Sequence, residues 1–229
     1  MFDPDPAGTH RARIEKVQFW FAEHGLGVSD DALRAAFRSA AWAKAEARAA
    51  LRDFGVAHAV DHVLQALGLN LPGPEQTELI TVVEDVDAHR SYEVAEGAAA
   101  ALSYLHSCGV RLGIVSNLRY RPSRIIRQDL VQAGLIEYFE PHAIAISDQV
   151  GFRKPRREIF LASLRALDAS PDQAAHIGDS KAYDVQGARQ LGIMTVRYAG
   201  IVDDRGKEPE ADVVIRDYEV LAGALGLEP

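Results

Sequence analysis

Cysteine is almost absent: Cys108 stands alone in 229 residues. No internal disulfide framework can form, and such thiol usage points to a reducing compartment, the cytosol. Long apolar runs are missing too. With no stretch of about 18 apolar residues, no membrane-spanning helix is expected. The amino-terminal region lacks a basic segment followed by an apolar one, so no secretory signal is visible. Cations are in deficit, with 25 Lys and Arg against 33 Asp and Glu and a formal net charge of −8. That balance argues against nonspecific nucleic-acid binding, which needs excess cations to displace counterions. One local cationic pocket would still suffice for a small phosphorylated molecule. No internal repeat is visible, and nothing in the residues sets an oligomeric state.

What is present is a large apolar fraction, 48%, enough for a packed core in one large domain or one domain carrying an insertion. Two patterns divide the chain. Residues 11–90 read as helical. Ile14, Val17 and Phe21 form one stripe at helical spacing. Ser29 precedes Asp30 and Asp31 as an N-cap followed by dipole-compatible acids. An Ala-rich helix is expected from Leu33 to Phe54, ending at Gly55. The next carries Val60, Val63, Leu64 and Leu67 and ends at Gly68. Trp20, Phe19 and Phe21 read as core of this region.

Beyond about residue 94, short apolar runs alternate with helical segments. The runs are 110–115, 142–146, 175–177, 194–198 and 213–215. Helices are expected up to His106, over 123–133, 157–167 and 184–191, and around Leu221. This alternation implies βαβ units and a mainly parallel sheet. Strands buried on both faces read as continuous apolar runs, as these do. Ligands of such sheets bind at the carboxyl ends of the strands.

Those ends carry chemistry. Ser116 and Asn117 follow one run, and Gly178, Asp179 and Ser180 follow another, with Asp184, Gly187 and Ala188 next. Arg153-Lys154-Pro155 follows the run at Ile144. Asp5-Pro6-Ala7-Gly8-Thr9 stands near the amino terminus. Carboxylates suit hard Mg²⁺, while a lysine and a hydroxyl suit phosphoryl oxygens.

Gly178-Asp179-Ser180-Lys181-Ala182-Tyr183-Asp184-Val185-Gln186-Gly187-Ala188 resembles the fourth motif of the haloacid dehalogenase superfamily. Ser116-Asn117 resembles its second motif and Lys154-Pro155 its third, in the same order. The resemblance covers nearly the whole chain. It implies a Rossmann-like three-layer αβα core with a parallel sheet, formed by 1–10 and 91–229, and an all-helical cap, 11–90, that governs substrate choice.

It further implies a Mg²⁺-dependent phosphatase for a small phosphorylated metabolite, working through an aspartyl-phosphate. Asp5 matches the nucleophile, with Gly8 and Thr9 at offsets of three and four. Thr9 and Asn117 would bind substrate, Ser116 would hydrogen-bond the transferred group, and Lys154 would anchor its charge. Asp5, the Ala7 carbonyl, Asp179 and Asp184 would hold the metal.

Two departures keep alternatives open. The family's second aspartate, an acid–base group, is replaced by Ala7. Taking Asp3 as nucleophile recovers an acid in Asp5 but leaves Ala7 where a threonine belongs. The strand before the nucleophile is also poor, since Met1 and Phe2 run into Asp3-Pro4 and proline cannot donate to a ladder. A haloacid dehalogenase, a phosphonatase using Lys44, and a catalytically impaired binding protein therefore stand beside the phosphatase. Cys108 reads as a buried small side chain, and His106, His142 and His176 read as structural. Arg119, Tyr120 and Arg121 read as a solvated loop.

Overall fold

The computed structural model describes residues 6–86, 93–117 and 122–227, with side chains described from residue 10 onward. The chain forms two compact units. One comprises Met1–Ser91 with Leu118–Ile125, the other Tyr92–Asn117 with Ile126–Pro229.

The first unit is helical: α1 (Pro6–Glu23), α2 (Asp30–Ala49), α3 (Val56–Leu67) and α4 (Gly73–Glu84). Its core takes Ile14, Val17, Trp20 and Phe21 from α1, with Leu33, Ala36 and Ala40 from α2. Val60, Val63 and Leu64 join from α3, and Leu79 and Val83 from α4. The expected stripe on α1 is buried, whereas Phe19 is exposed. Each large apolar side chain so buried contributes about 1.5–3 kcal/mol. Ser29 accepts a hydrogen bond from the Ala32 N–H and starts α2 as its spacing implies. The end of α2 differs from expectation, because the helix stops at Ala49 rather than running to Phe54. The chain reverses at Leu51, which adopts φ 53°. Gly68, left-handed at φ 67°, closes α3 with its N–H donating to the Gln65 carbonyl, the usual device for capping the last turn.

The second unit begins with α5 (Ala98–Ser107), followed by β1 (Leu112–Ser116), α6 (Ser123–Gln132) and β2 (Phe139–Ile146). Then come α7 (Ser147–Val150), α8 (Arg157–Ala166), β3 (Ala175–Gly178), α9 (Gln186–Arg189), β4 (Met194–Tyr198), β5 (Val213–Ile215) and α10 (Leu221–Ala224). α6 starts within residues assigned to the first unit and continues into the second. All strand pairs are parallel. One apolar cluster joins β2 to α8 and α9 through Ala145, Ile159, Phe160, Leu164 and Ala188. Another joins β4 and β5 to α5 and α10 through Leu105, Val196, Ile215 and Leu221. Helices on both sides of parallel strands make a three-layer αβα architecture.

Among the described residues β1 pairs only with β2, and the second ladder runs β3-β4-β5. β1 and β3 both border one cavity. A nucleophile-bearing strand, expected ahead of Asp5, falls on residues outside those described. Cys108 is exposed rather than buried, because it sits at the C-cap of α5, where the chain turns into Gly109 at φ 76°.

Candidate active site

Asp184 is the centre of the polar cluster at the carboxyl ends of β1 and β3. It is 3% exposed, and both its oxygens are occupied. Oδ1 accepts from Lys154 Nζ at 2.6 Å and faces His176 Nε2 at 2.9 Å. Oδ2 accepts from the Ser180 N–H at 3.1 Å. Since a carboxylate only accepts, His176 Nε2 carries the proton. Burial alone would raise the Asp184 pKa, but the His176 hydrogen bond and the Lys154 charge overcome it and hold the carboxyl well below its usual range. His176 is pushed below its ordinary value, first by burial, with the neighbouring Lys154 charge adding to it against the Asp184 hydrogen bond. The ring is neutral at pH 7 and lies edge-on to Phe160.

The local chain explains this geometry. The stretch Lys181–Val185 forms one π-helical turn after Ser180, whose hydroxyl accepts from the Tyr183 N–H. That turn sends Asp184 back under the end of β3. A Cβ on Gly178 would lie 2.2 Å from Asp184 Cγ, so only glycine admits the approach. Gly187 has a similar reason: an added Cβ would meet the Phe160 ring at 2.6 Å and Pro155 Cα at 3.0 Å.

Lys154 is fixed from both ends. Its Nζ also donates to the Val115 carbonyl at 2.9 Å, linking the ends of β1 and β3 through one cation. Its backbone is clamped by Asn117, whose Oδ1 accepts from the Lys154 N–H at 2.7 Å and whose Nδ2 donates to the Lys154 carbonyl at 3.1 Å. Ser116, the last residue of β1, adjoins that clamp.

In this structure the Asn117 amide bonds the Lys154 backbone on both sides, and Asp184 anchors the Lys154 ammonium. His176, read from sequence as structural, belongs to the site. The sequence signal was its place two residues before the fourth motif and eight before Asp184, which spacing for metal ligands does not flag. Asp179 lies exposed at the end of β3.

Asp5 lies outside the described residues, as do Arg119, Tyr120 and Arg121. Ala7 and Thr9 lie in the first turns of α1, within the first unit. Among the described residues, no three His, Cys, Asp or Glu side chains are gathered as a metal site. No helix of the described residues is long and apolar enough to cross a membrane.

A second polar network borders the fourth motif. Arg197 on β4, 4% exposed, donates from Nε and Nη2 to Glu210 and from Nη1 to Asp203. Lys181 pairs with the same Glu210, and its backbone N–H donates to Asp204. The Arg197 hydrogen bond comes first among the causes that lower the Glu210 pKa to about 2.

The chain is 30% identical over 207 residues to human haloacid dehalogenase-like hydrolase domain-containing protein 3, spanning 85% of this chain and 75% of that one. It is 34% identical over 131 residues to the phosphoserine phosphatase of Thermus thermophilus, covering 57% and 49% respectively. Among solved structures, a haloacid dehalogenase superfamily phosphatase from Thermococcus onnurineus aligns with a TM-score of 0.57 at 26% identity, over 96% of this chain and 90% of that one. The 2-haloacid dehalogenase of Pseudomonas syringae shares the fold, with a TM-score of 0.63 at 21% identity over 97% and 93%. Residues 9–192 match the family described as haloacid dehalogenase-like hydrolase, and the chain belongs to that family of hydrolases.

Proposed function

We propose that the protein is a phosphatase acting on a small phosphorylated metabolite, with Mg²⁺ as cofactor and an aspartyl-phosphate as intermediate. The observation that carries this reading is the Lys154 ammonium, held by Asp184 and Val115 where the ends of β1 and β3 meet. A fixed cation there neutralises phosphoryl charge without reorganising during reaction. Relatives named as phosphoserine, phosphoglycolate and glyceraldehyde 3-phosphate phosphatases support the same chemistry.

Asp5 would attack phosphorus and Ser116 would hydrogen-bond the transferred group. Asp179, exposed at the end of β3, fits a cation that keeps most of its waters and needs one or two carboxylates; Asp5 would be the second. Mg²⁺ would supply charge neutralisation at the phosphoryl oxygens. Thr9 would contact substrate, and α1–α4 would form the cap that selects it. Ala7 offers no acid, so leaving groups needing protonation should react slowly, by up to about 10²–10⁴.

The test is a panel of phosphate esters with and without Mg²⁺. Aryl phosphates should turn over faster than alkyl phosphates, and EDTA should abolish both. Turnover that persists without metal, or halide release from 2-haloacids, would overturn the reading. One observation favours a second reading, an impaired enzyme that binds phosphoryl ligands. Residues 6–9 are helical, and among the described residues no strand joins β1 to β3. Retained phosphate binding without turnover would select it.

A further inference from the structure

Two consecutive backbone amides follow Asp179, and each donates to a carboxylate from a different direction. The Ser180 N–H is taken by Asp184 Oδ2 at 3.1 Å, from within the fourth motif. The Lys181 N–H is taken by Asp204 Oδ2 at 2.7 Å, from the loop between β4 and β5. On the other side of Asp179, Gly178 pairs with Arg197 in the β3–β4 ladder. Asp179 is thus bracketed by fixed backbone while its own side chain is exposed.

The loop reaches Lys181 because a buried cation shapes it. Arg197 donates to Glu210 from Nε at 2.7 Å and from Nη2 at 3.0 Å, and to Asp203 from Nη1 at 2.9 Å. Asp203 lies near the start of the loop and Glu210 near its end, so one guanidinium ties both together. Its planar fork fixes the direction of each bond, which a lysine would not. Between those two ties, Asp204 also takes the Gly206 N–H at 2.8 Å, closing a tight turn. Lys181 returns the contact, its Nζ 3.3 Å from Glu210 Oε2. Taking a guanidinium out of water is costly unless its bonds are made. A connection between parallel strands needs length, but it needs no buried charge and no contact with a neighbouring turn.

We propose that Arg197 and Asp204 are positioning residues for Asp179: the guanidinium shapes the loop, and the loop holds the turn that presents Asp179 to its cation. The cation rests on the phosphatase reading; the hold on the turn does not.

The test uses the 229-residue protein with Asp204→Ala and Arg197→Met, and with Lys207→Ala, exposed on the same loop, as control. The first measurement is amide hydrogen exchange at Ser180 by NMR, since neither change touches its acceptor, Asp184. Exchange there should quicken about tenfold in both variants, the factor that one lost hydrogen bond is worth, and stay at the parent rate in Lys207→Ala. A parent rate at Ser180 in Asp204→Ala overturns the proposal, and that surface-loop variant decides alone should Arg197→Met misfold. The second measurement is calorimetric titration with Mg²⁺ and, separately, with inorganic phosphate, no substrate being present. Asp204→Ala should bind Mg²⁺ about 10–100-fold more weakly, the usual loss when the support behind a metal ligand is removed, and bind phosphate as the parent does. Unchanged Mg²⁺ affinity, or a loss shared equally by phosphate, overturns the positioning role. If Ser180 exchange responds and the parent itself takes up no Mg²⁺, the phosphatase reading fails while the hold on the turn stands.

Discussion

Removing the Asp184 carboxylate strands three donors at once, the Lys154 ammonium, the His176 Nε2–H and the Ser180 N–H. Breaking a buried ion pair from one side costs about 3–5 kcal/mol, mostly from the unpaired charge left behind. Asp184→Ala should lower the unfolding free energy read from urea denaturation by that amount, and Lys154→Met combined with Asp184→Asn should cost less than the two single changes together. Additive costs would show that the pair is not coupled. His176 gives the site a pH dependence of fixed sign. Its folded pKa lies below its ordinary 6.5, so the unfolded chain binds the proton first. Stability is full above about 6.5 and declines as pH falls toward the folded value. Asp184 is also depressed, and its contribution is present above the usual carboxyl range and lost only at far lower pH. His176→Gln keeps a donor for Asp184 but removes the titration. Urea midpoints measured from pH 7 to 5 should therefore slope less in the variant; an unchanged slope would remove His176 as the cause.

Elements carry the next constraints. Gly178→Ala would push a methyl into Asp184, and Gly187→Ala would push one between α9 and the Phe160 ring. Each should cost about 1–3 kcal/mol or more by overpacking, read from denaturation curves. Gly178→Ala should also reduce phosphate-ester turnover, since Asp184 sets Lys154. Turnover equal to the parent would detach Gly178 from the site. How legible these elements were in sequence depends on what forms them. Met194–Tyr198 and Val213–Ile215 are strands at the residues read, because unbroken runs rich in β-branched and apolar residues have no helical alternative. The end of α2 was illegible, since the turn at Leu51 uses a positive φ on a residue with no propensity for it. The fourth motif declared Asp179 and Asp184 as acids but not their partners. Asn117 clamps Lys154 across 37 residues of chain, a tertiary contact that no local pattern encodes. The π-helical turn at Lys181–Val185 reads in sequence as an ordinary helix start.

At the scale of the molecule, the two units hold separate cores, and each has its own weak points. Phe21, fully buried in α1, belongs to the first core; Phe21→Ala should cost about 3–5 kcal/mol there and leave the Lys154 site intact, as judged by phosphate binding. β4 is paired on both sides, by β3 and β5, whereas among the described residues β1 and β3 each have one partner. Backbone amides open locally at free energies set by such pairing. Hydrogen exchange should therefore be slowest in 194–198 and faster in 112–116 and 175–178. Equal protection of all three strands would mean that β1 and β3 are paired on their second edges as well, so that the two ladders form one sheet in solution.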